Sequence, residues 1–394
     1  MAIDYGTVID GIARSDSINQ NGQVLDMESH TALLDPNSYV FEALLRQLGS
    51  KITTNQMKHE YREKRLIPSY VSLTAEASSG GATITVDDYT RIKNDFYLYS
   101  PTTNDLLLVQ DAAIDASVTV VLASDGSSTL PNTIASGSKI IILGEAHAEG
   151  EEVPEAYSNQ SINKFNYVMQ KDRRIEQTDI EEAIEHYDSS EERMAQRKQA
   201  FIEYKRDQNL LHYVGQSVRE IVSAVGPRRH CCSGIIELFT ENVYDLSGAG
   251  SGLTLTTLSN IMGSTKYHGS SSETKMGLFG TNAWTSISAL PVSALRVSPM
   301  EKKWGINISK IITGYGEMNI AYDPVLSADN GLADRFFVFD TKHTKQMCLK
   351  GQNVRMITDI PNLSTVHRTV DAITGTFGLQ VKFPELHAQG SGVS

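Results

Sequence analysis

Residues 189–215 read SSEERMAQRKQAFIEYKRDQNLLHYVG and carry the strongest helical signal in the chain. Ser189 and Glu192 stand three residues apart, the form of a capping box in which each side chain satisfies a free N–H group of the first turn. Apolar side chains then recur at helical spacing along one stripe, opposite a charged face. The stripe consists of Met194, Phe201, Tyr204, Leu211 and Val214.

We predict one helix from about residue 190 to residue 225, roughly 50 Å long at ~1.5 Å per residue. Gly215 is a position at which this helix can break. Gly226-Pro227 ends it, because proline cannot continue the hydrogen-bond ladder. A helix of this length predicts a spine for the domain around it.

Strand-like segments lie between residues 70 and 143. Each is a short apolar or β-branched run, and turn clusters rich in Gly, Ser, Asn and Asp separate them. The segments are Tyr70–Leu73, Ala82–Val86, Phe96–Tyr99, Leu106–Val109, Val118–Leu122 and Lys139–Leu143. This spacing predicts a small β-sandwich or β-barrel.

Two oppositely charged segments flank these strands and are candidates for contacts between subunits. The basic segment holds Lys58, Arg62, Lys64 and Arg65, and the acidic segment holds Glu149, Glu151, Glu152 and Glu155. If they face different neighbours, copies around a ring meet with opposite charge, and such heterologous contacts close into rings. Exposed ion pairs contribute only about 0–1 kcal/mol each, so they would set register and leave affinity to apolar burial. The spacing fits two merely solvated segments equally well.

The remaining segments complete a mixed pattern of helices and strands. Residues 1–30 are polar and predict an extended arm, and residues 30–49 predict a short helix that starts at Asp35-Pro36. Residues 389–392 predict a loose tail. A further helix is predicted at Leu253–Met262, and strands are predicted at Ile306–Ile312, Met318–Tyr322, Arg335–Phe339 and Phe377–Phe383.

Length and composition limit the classes of function. A chain of 394 residues predicts two or three packed units. A net charge of -12 argues against nucleic-acid binding through the overall field, because neutralising phosphates requires clustered Lys and Arg. The three cysteines, Cys231, Cys232 and Cys348, lack metal or redox spacing and predict reduced, buried thiols. We see no signal peptide and no apolar run near ~20 residues, and expect a soluble protein without membrane contact.

Motifs for catalysis or metal binding are weak in this sequence. Gly248, Gly250 and Gly252 lack the spacing and the Lys-Ser/Thr ending of a phosphate loop. The chain has neither a metal-binding HExxH motif nor a GxSxG nucleophile motif. His230 beside Cys231 has no orienting third group. We therefore predict no enzyme, no cofactor, no catalytic residue and no metal site.

The order of the segments, together with several short stretches, resembles the Hong Kong 97 fold of tailed-bacteriophage major capsid proteins. The sequence resembles the subfamily whose extended loop carries an inserted β module. The stretches that carry it are residues 144–146, 149–150, 166–170, 175–178, 304–313 and 316–320, which read GEA, EG, NYVMQ, IEQT, WGINISKIIT and GEMNI.

The resemblance implies an α+β fold with five parts. These are an N-terminal arm and short helix at 1–48, an extended loop at 49–170 with its β module at about 71–143, a peripheral domain with the spine helix at 171–230, an axial domain at 231–340, and a return to the peripheral domain at 341–394. The loops 248–252 and 266–280 would line the capsomer axis.

The implied function is self-assembly into pentamers and hexamers of an icosahedral head around phage double-stranded DNA. Expected partners are copies of the chain, a separate scaffolding protein, a portal, decoration proteins, and DNA bound on the inner face without sequence specificity. The protein would be made in the cytoplasm of a bacterial host and reside in the virion. An encapsulin-like compartment shell, a tail-tube or baseplate protein, and a cytosolic hydrolase or transferase remain alternatives.

Overall fold

The protein divides into two compact units in the computed structural model. The smaller unit is Arg62–Lys164, and the larger contains Met1–Tyr61 and Phe165–Ser394. The structure describes residues 39–48, 51–112, 117–124, 126–127, 129–145, 158–184, 192–218, 229–248, 252–266, 271–290, 298–303, 306–360 and 367–393. The predicted arm and the start of the predicted first helix lie outside these ranges.

Helices and strands alternate irregularly, which confirms the predicted α+β class. The helices are α1 (Val40–Gln47), α2 (Asp179–Ala183), α3 (Glu192–Val214), α4 (Ile235–Leu238), α5 (Leu255–Lys266) and α6 (Thr281–Ser288). The strands of the first half are β1 (Lys51–Thr54), β2 (Lys58–Glu63), β3 (Tyr70–Ser72), β4 (Thr83–Thr85), β5 (Phe96–Ser100), β6 (Asp105–Ala112), β7 (Ser117–Leu122), β8 (Lys139–Glu145), β9 (Ile162–Tyr167) and β10 (Met169–Thr178). Those of the second half are β11 (Val243–Asp245), β12 (Thr274–Phe279), β13 (Ser298–Lys303), β14 (Ile306–Thr313), β15 (Gly316–Tyr322), β16 (Phe336–Phe339), β17 (Thr344–Leu349), β18 (Arg355–Ile357), β19 (Arg368–Val381) and β20 (Ala388–Ser391).

The smaller unit is a closed β-barrel. Its six strands have the order β3-β8-β5-β6-β7-β4, and all the pairs are antiparallel. A bridge between Leu73 and Val86 joins the two end strands, and Thr74 donates its N–H to the carbonyl of Thr85 at 2.9 Å. Closure removes the free edges that an open sheet would expose. The six strands predicted in this region are confirmed, with small differences at their ends.

The barrel interior explains why these strands were readable from the sequence. Every second side chain along β5 is buried, at Phe96, Leu98 and Ser100, because neighbouring side chains of a strand point to opposite faces. Alternating apolar residues from all six strands fill the interior, and Leu107, Val109, Val118 and Val120 are examples.

The larger unit contains a seven-stranded sheet that is covered on both faces. Its order is β11-β20-β16-β12-β15-β14-β13. Along β16, Phe337 and Phe339 pack into a core with α1 and α3, whereas Phe336 and Val338 pack into a core with α5 and α6. A strand buried on both sides needs a continuous apolar run, which accounts for the four consecutive apolar residues. The strands predicted at 306–312 and 318–322 are confirmed as parts of β14 and β15, which pair antiparallel.

A second sheet of the larger unit supports α3. Its strands run β1-β17-β19-β10, and β18 also pairs with β19. Tyr204 of α3 packs with Ile175 of β10 and Ile373 of β19. A separate two-stranded sheet consists of β2 and β9.

The spine helix is shorter than predicted. It has 23 residues, about 35 Å at ~1.5 Å per residue, and it ends before Gly215 rather than near residue 225. A Cβ atom at Gly215 would lie 2.3 Å from the carbonyl oxygen of Cys232, so only glycine allows this close approach of two backbone segments. Ser189 of the predicted capping box and Gly226-Pro227 lie outside the described residues.

The predicted apolar stripe of α3 is wrong at both ends. Met194 is 58% exposed and Val214 is 39% exposed. The face that is buried instead carries Tyr204, Lys205, Gln208, Asn209, His212 and Tyr213. Four of these six side chains are polar. Three of the four, Lys205, Gln208 and Asn209, make hydrogen bonds to polar partners within the larger unit.

The predicted loose tail is a strand. β20 pairs with β16 and with β11, and the amide of Gln389 donates to the carbonyl of Phe239 at 2.7 Å. Small residues in a polar segment suggested a loop, but Gly390 is small because the ring of Phe336 lies against it.

The predicted axial loop 266–280 is also wrong for much of its length. Lys266 is the last residue of α5, and Thr274–Phe279 forms β12 inside the seven-stranded sheet. The helix and strands predicted at 253–262, 335–339 and 377–383 are present within α5, β16 and β19, although β19 starts earlier, at Arg368, and ends at Val381. Cys232 and Cys348 are buried, as predicted, whereas Cys231 is only partly buried.

Gly390→Ala should lower the free energy of unfolding by about 1–3 kcal/mol, because an added methyl group overpacks a filled core. Its Cβ would lie 2.2 Å from the ring of Phe336, which is fully buried. Urea unfolding checks this prediction. Gly314→Ala is the control, since no atom lies within 4 Å of a Cβ at that turn position. Equal losses in the two variants would contradict the tight contact at Gly390.

Candidate assembly surfaces

The four basic candidates on and after β2 do not share one environment. Lys58 pairs with Glu60 and lies over the ring of Phe165, 4.5 Å from its centre. Arg65 pairs with the buried carboxylate of Glu63 at 3.1 Å. These two charges are therefore engaged within the chain.

Arg62 and Lys64 are exposed and flank the inward-facing Glu63. The alternation of a strand puts them on the outer face, so they are the two basic candidates that remain available to a neighbour. The acidic candidates Glu149, Glu151, Glu152 and Glu155 lie outside the described residues.

Exposed apolar side chains accompany the basic residues of the smaller unit, and sequence reasoning missed them. Leu66 is 93% exposed and Leu143 is 60% exposed. Ile142 donates its N–H to the carbonyl of Ser69 at 2.7 Å, so the segment after Arg65 runs beside β8, which carries Leu143. The signal was an apolar Leu66-Ile67 pair placed before Pro68, too short to stand out as an element.

A second exposed apolar group lies on the larger unit at α2. Ile180 is 77% exposed and Ile184 is 50% exposed. Ile180 lies on the short helix, and Ile184 is the first residue after it, where the backbone is extended. The side chain of Thr178 caps this helix by accepting the N–H of Glu181 at 3.3 Å, and Asp179, Glu181 and Glu182 make its first turn acidic.

A buried carboxylate of the larger unit fixes α1 against α3. Oδ2 of Asp323 accepts hydrogen bonds from the hydroxyl of Tyr213 at 2.7 Å, from the amide of Asn209 at 3.0 Å and from the N–H of Phe41 at 3.4 Å. Its Oδ1 accepts the N–H of Val325 at 3.0 Å. Burial raises the pKa of Asp323, and the hydrogen bonds oppose that rise. We call this group, with Glu42 and Lys205, the Asp323 network.

A buried ion pair extends the network. Nζ of Lys205 lies 2.7 Å from Oε1 of Glu42, and both side chains are about 95% buried. Nζ also donates to Oε1 of Gln208 at 3.1 Å, and the N–H of Glu42 donates to Oδ1 of Asn209 at 3.2 Å. These contacts explain how α3 buries Lys205, Gln208 and Asn209, because each of these three side chains meets a partner from α1, from its own helix or from Asp323.

A second buried network joins β12 of the seven-stranded sheet to the residue that follows β16. Nζ of Lys275 is 3.1 Å from Oδ2 of Asp340, and both side chains are fully buried. Burial disfavours the ionised Asp340, but hydrogen bonds from Ser272 and the charge of Lys275 outweigh it and lower the pKa of Asp340 to about 2. The N–H of Asp340 donates to Nδ1 of His387 at 3.2 Å, and Nε2 of His387 lies 3.0 Å from the carbonyl of Lys382.

The side chains of His387 and His212 are both fully buried. Nδ1 of His387 must accept, since it faces an N–H group, so this imidazole is neutral with its proton on Nε2. His212 lies edge-on to Phe41 and Phe377. Burial lowers the pKa of each histidine to about 3.

The described residues show no arrangement suited to nucleophilic or metal chemistry. The ring of His230 stacks on Tyr167, and burial raises the pKa of the neighbouring Cys232 thiol to about 12. Within the ranges that the structure covers, no group of three or more His, Cys, Asp or Glu side chains could hold a metal ion. No helix in those ranges is both long and apolar enough to span a membrane.

Comparison with known proteins identifies a family. A family model described as SU10 major capsid protein matches residues 15–394, which is nearly the whole chain. No curated protein sequence matches it.

Solved structures similar to the chain include two capsids and an encapsulin. The capsid of a native GTA particle is 8% identical with a TM-score of 0.48, over 96% of this chain and 98% of that one. The capsid of Myoviridae phage XM1 is 10% identical with a TM-score of 0.45, over 97% and 99%. The holo-SrpI encapsulin complex from Synechococcus elongatus is 7% identical with a TM-score of 0.40, over 60% and 78%.

Glu42→Leu alone should lower the free energy of unfolding by about 3–5 kcal/mol, because it leaves the Lys205 ammonium buried without its counter-charge. Lys205→Met should have a similar cost for the same reason. The double variant should recover most of the loss, since an apolar pair can replace a buried ion pair. Urea unfolding of the four proteins measures the coupling. Additive losses would show that the two charges do not depend on each other.

The neutral histidines make stability depend on pH. Between the ordinary value of about 6.5 and the folded value of about 3, the unfolded chain binds protons that the folded chain excludes. Stability is therefore complete above about pH 6.5 and falls as the pH drops through this window.

Lowering the pH from 7 to 5 should reduce the free energy of unfolding less in His212→Phe than in the unchanged protein. The two reductions should differ by about 2 kcal/mol, at ~1.36 kcal/mol per pKa unit. Urea unfolding at the two pH values measures the difference. The comparison between the two proteins cancels the contributions of the other titrating groups. Parallel losses in the two proteins would mean that His212 titrates normally.

Proposed function

This chain belongs to the SU10 major capsid protein family, and we propose that its copies form rings of five and six that close into an icosahedral head around phage double-stranded DNA. Membership in the family makes the chain a structural, non-enzymatic component of a virion, which assembles with copies of itself into the capsid shell. The family match over residues 15–394 is the observation that carries this conclusion.

The exposed apolar groups support assembly as the function. Leu66 and Leu143 on the smaller unit and Ile180 on the larger unit are each more than half exposed, and exposed apolar groups favour contact with another protein surface. Burial at about 25 cal/mol per Å2 against several neighbours is enough to drive association. Many small contacts, repeated by symmetry, then hold the shell.

The domain arrangement of the Hong Kong 97 fold forms part of the proposal. In this arrangement the arm and first helix end at about residue 48, and the extended loop with its barrel covers 49–170. The peripheral domain takes 171–230 and 341–394, and the axial domain takes 231–340. The barrel strands β3 to β8 and the helix α3, which follows them in the chain, support this order.

We further propose a separate scaffolding protein, a portal and decoration proteins as partners, with synthesis in the host cytoplasm. DNA would meet the inner face through local contacts without sequence specificity, since the net charge of -12 provides no general attraction for phosphates. Membership in a capsid family favours this head over an encapsulin-like compartment, a tail tube or an enzyme.

Deleting Ser78–Ser138 should abolish or strongly reduce shells while the larger unit still folds. The deletion removes most of the barrel, yet the two sides need only a short link. Leu73 donates its N–H to the carbonyl of Ser138 at 3.0 Å and Ser72 pairs with Lys139, so the retained residues 74–77 can serve as that link. Negative-stain microscopy counts the shells, and near-UV circular dichroism reports on the folded larger unit. Normal particles from the deletion would contradict the role proposed for the extended loop.

A further inference from the structure

Two exposed patches of opposite charge lie on different units of the chain, and we propose that they bind each other between neighbouring copies. The inference deepens the proposed function and depends on it, because it assigns two faces to the contacts of the shell.

The basic patch belongs to the smaller unit. It consists of Arg62, Lys64, Leu66, Ile67 and Leu143. Its charges lie on and just beyond β2, and the hydrogen bond from Ile142 to Ser69 brings its apolar side chains to one place beside β8. Leu66 is the most exposed of the three apolar side chains, with 93% of its surface exposed.

The acidic patch belongs to the larger unit. It consists of Asp179, Ile180, Glu181, Glu182 and Ile184. Ile180 lies on α2 and Ile184 directly follows the helix, and Glu182 lies 3.8 Å from Arg193 of α3. The patch therefore combines two exposed isoleucines with three carboxylates, of which Asp179 lies 3.5 Å from the exposed His367.

The composition of the patches indicates what each one binds. Protein interfaces have an apolar centre and a polar or charged rim, and both patches have these components with rims of opposite sign. Two basic patches facing each other would bring like charges together, and so would two acidic patches. The contact must therefore join unlike patches.

A contact between unlike patches has a consequence for assembly. Each copy offers both patches, so every subunit can bind one neighbour through its basic patch and another through its acidic patch. Such heterologous contacts propagate around a ring until it closes. This gives Arg62 and Lys64 a partner within the described residues, in place of the acidic segment 149–155 suggested by the sequence.

Disulfide trapping tests the contact directly in assembled particles. Particles made from a mixture of Leu66→Cys chains and Ile180→Cys chains should give covalent dimers after mild oxidation, resolved on a non-reducing gel. A single chain carrying both substitutions should give a ladder of higher multimers. Particles with only one substitution should stay monomeric on the gel, which also measures any background from Cys231.

Leu66→Cys with Val243→Cys is the matched control. Val243 is an exposed aliphatic residue of β11 outside both patches, and this pair should not be linked. Absence of the dimer from the Leu66→Cys and Ile180→Cys mixture, in particles that do form, would overturn the inference and show that another partner covers the patches.

A charge exchange tests the same contact through assembly. Arg62→Glu with Lys64→Glu should lower the yield of particles about tenfold, and Asp179→Lys with Glu181→Lys should do the same. Combining all four substitutions should restore the yield to within about threefold, because opposite charges meet again. Circular dichroism establishes that each variant is folded.

Failure of rescue in folded variants would contradict the pairing of the two patches. Failure of the unchanged chain to form particles at all would instead contradict the proposed function, so the two failures are distinguishable. The trapping experiment needs no charge substitution and decides the question if one of those variants does not fold.

Discussion

The buried carboxylate of Asp323 is the interaction on which the larger unit depends. It accepts hydrogen bonds from α1, from two side chains of α3 and from the loop after β15. A carboxylate removed from water is costly unless donors surround it, so the structure is stable only when all these elements are in place together. α3 in turn lies on the five-stranded sheet through Tyr204. The network thereby links both sheets and the first described helix into one framework.

The barrel could be predicted from the sequence because its determinants are local. Strands β3 to β8 alternate apolar and polar residues, and the turns between them are rich in Gly, Ser, Asn and Asp. The buried face of α3 could not be predicted, because its polar side chains are buried by partners far away in the chain. Asn209 and Tyr213 meet Asp323 across more than 100 residues, and Lys205 meets Glu42 across 163. A hydrophobic stripe was the natural expectation and named Met194 and Val214, which are exposed.

The candidate surfaces show the same division. The sequence named Lys58, Arg62, Lys64 and Arg65 together as one basic segment. Only the structure separates the exposed Arg62 and Lys64 from Lys58 and Arg65, which pair with Glu60 and Glu63. The exposed apolar residues were missed because each occurs in a short run, Leu66-Ile67 before a proline and Ile180 within an acidic turn. Only their exposure in the folded chain distinguishes them from core residues.

We propose that the folded chain displays apolar surface that neighbouring copies cover in the shell. Sedimentation of the purified full-length chain at increasing concentration, combined with negative-stain microscopy of the fast-sedimenting material, measures this association. Rings and closed shells should grow at the expense of the monomer. A well-folded chain that stays monomeric at every concentration, alone and with lysate of its host, would contradict this proposal.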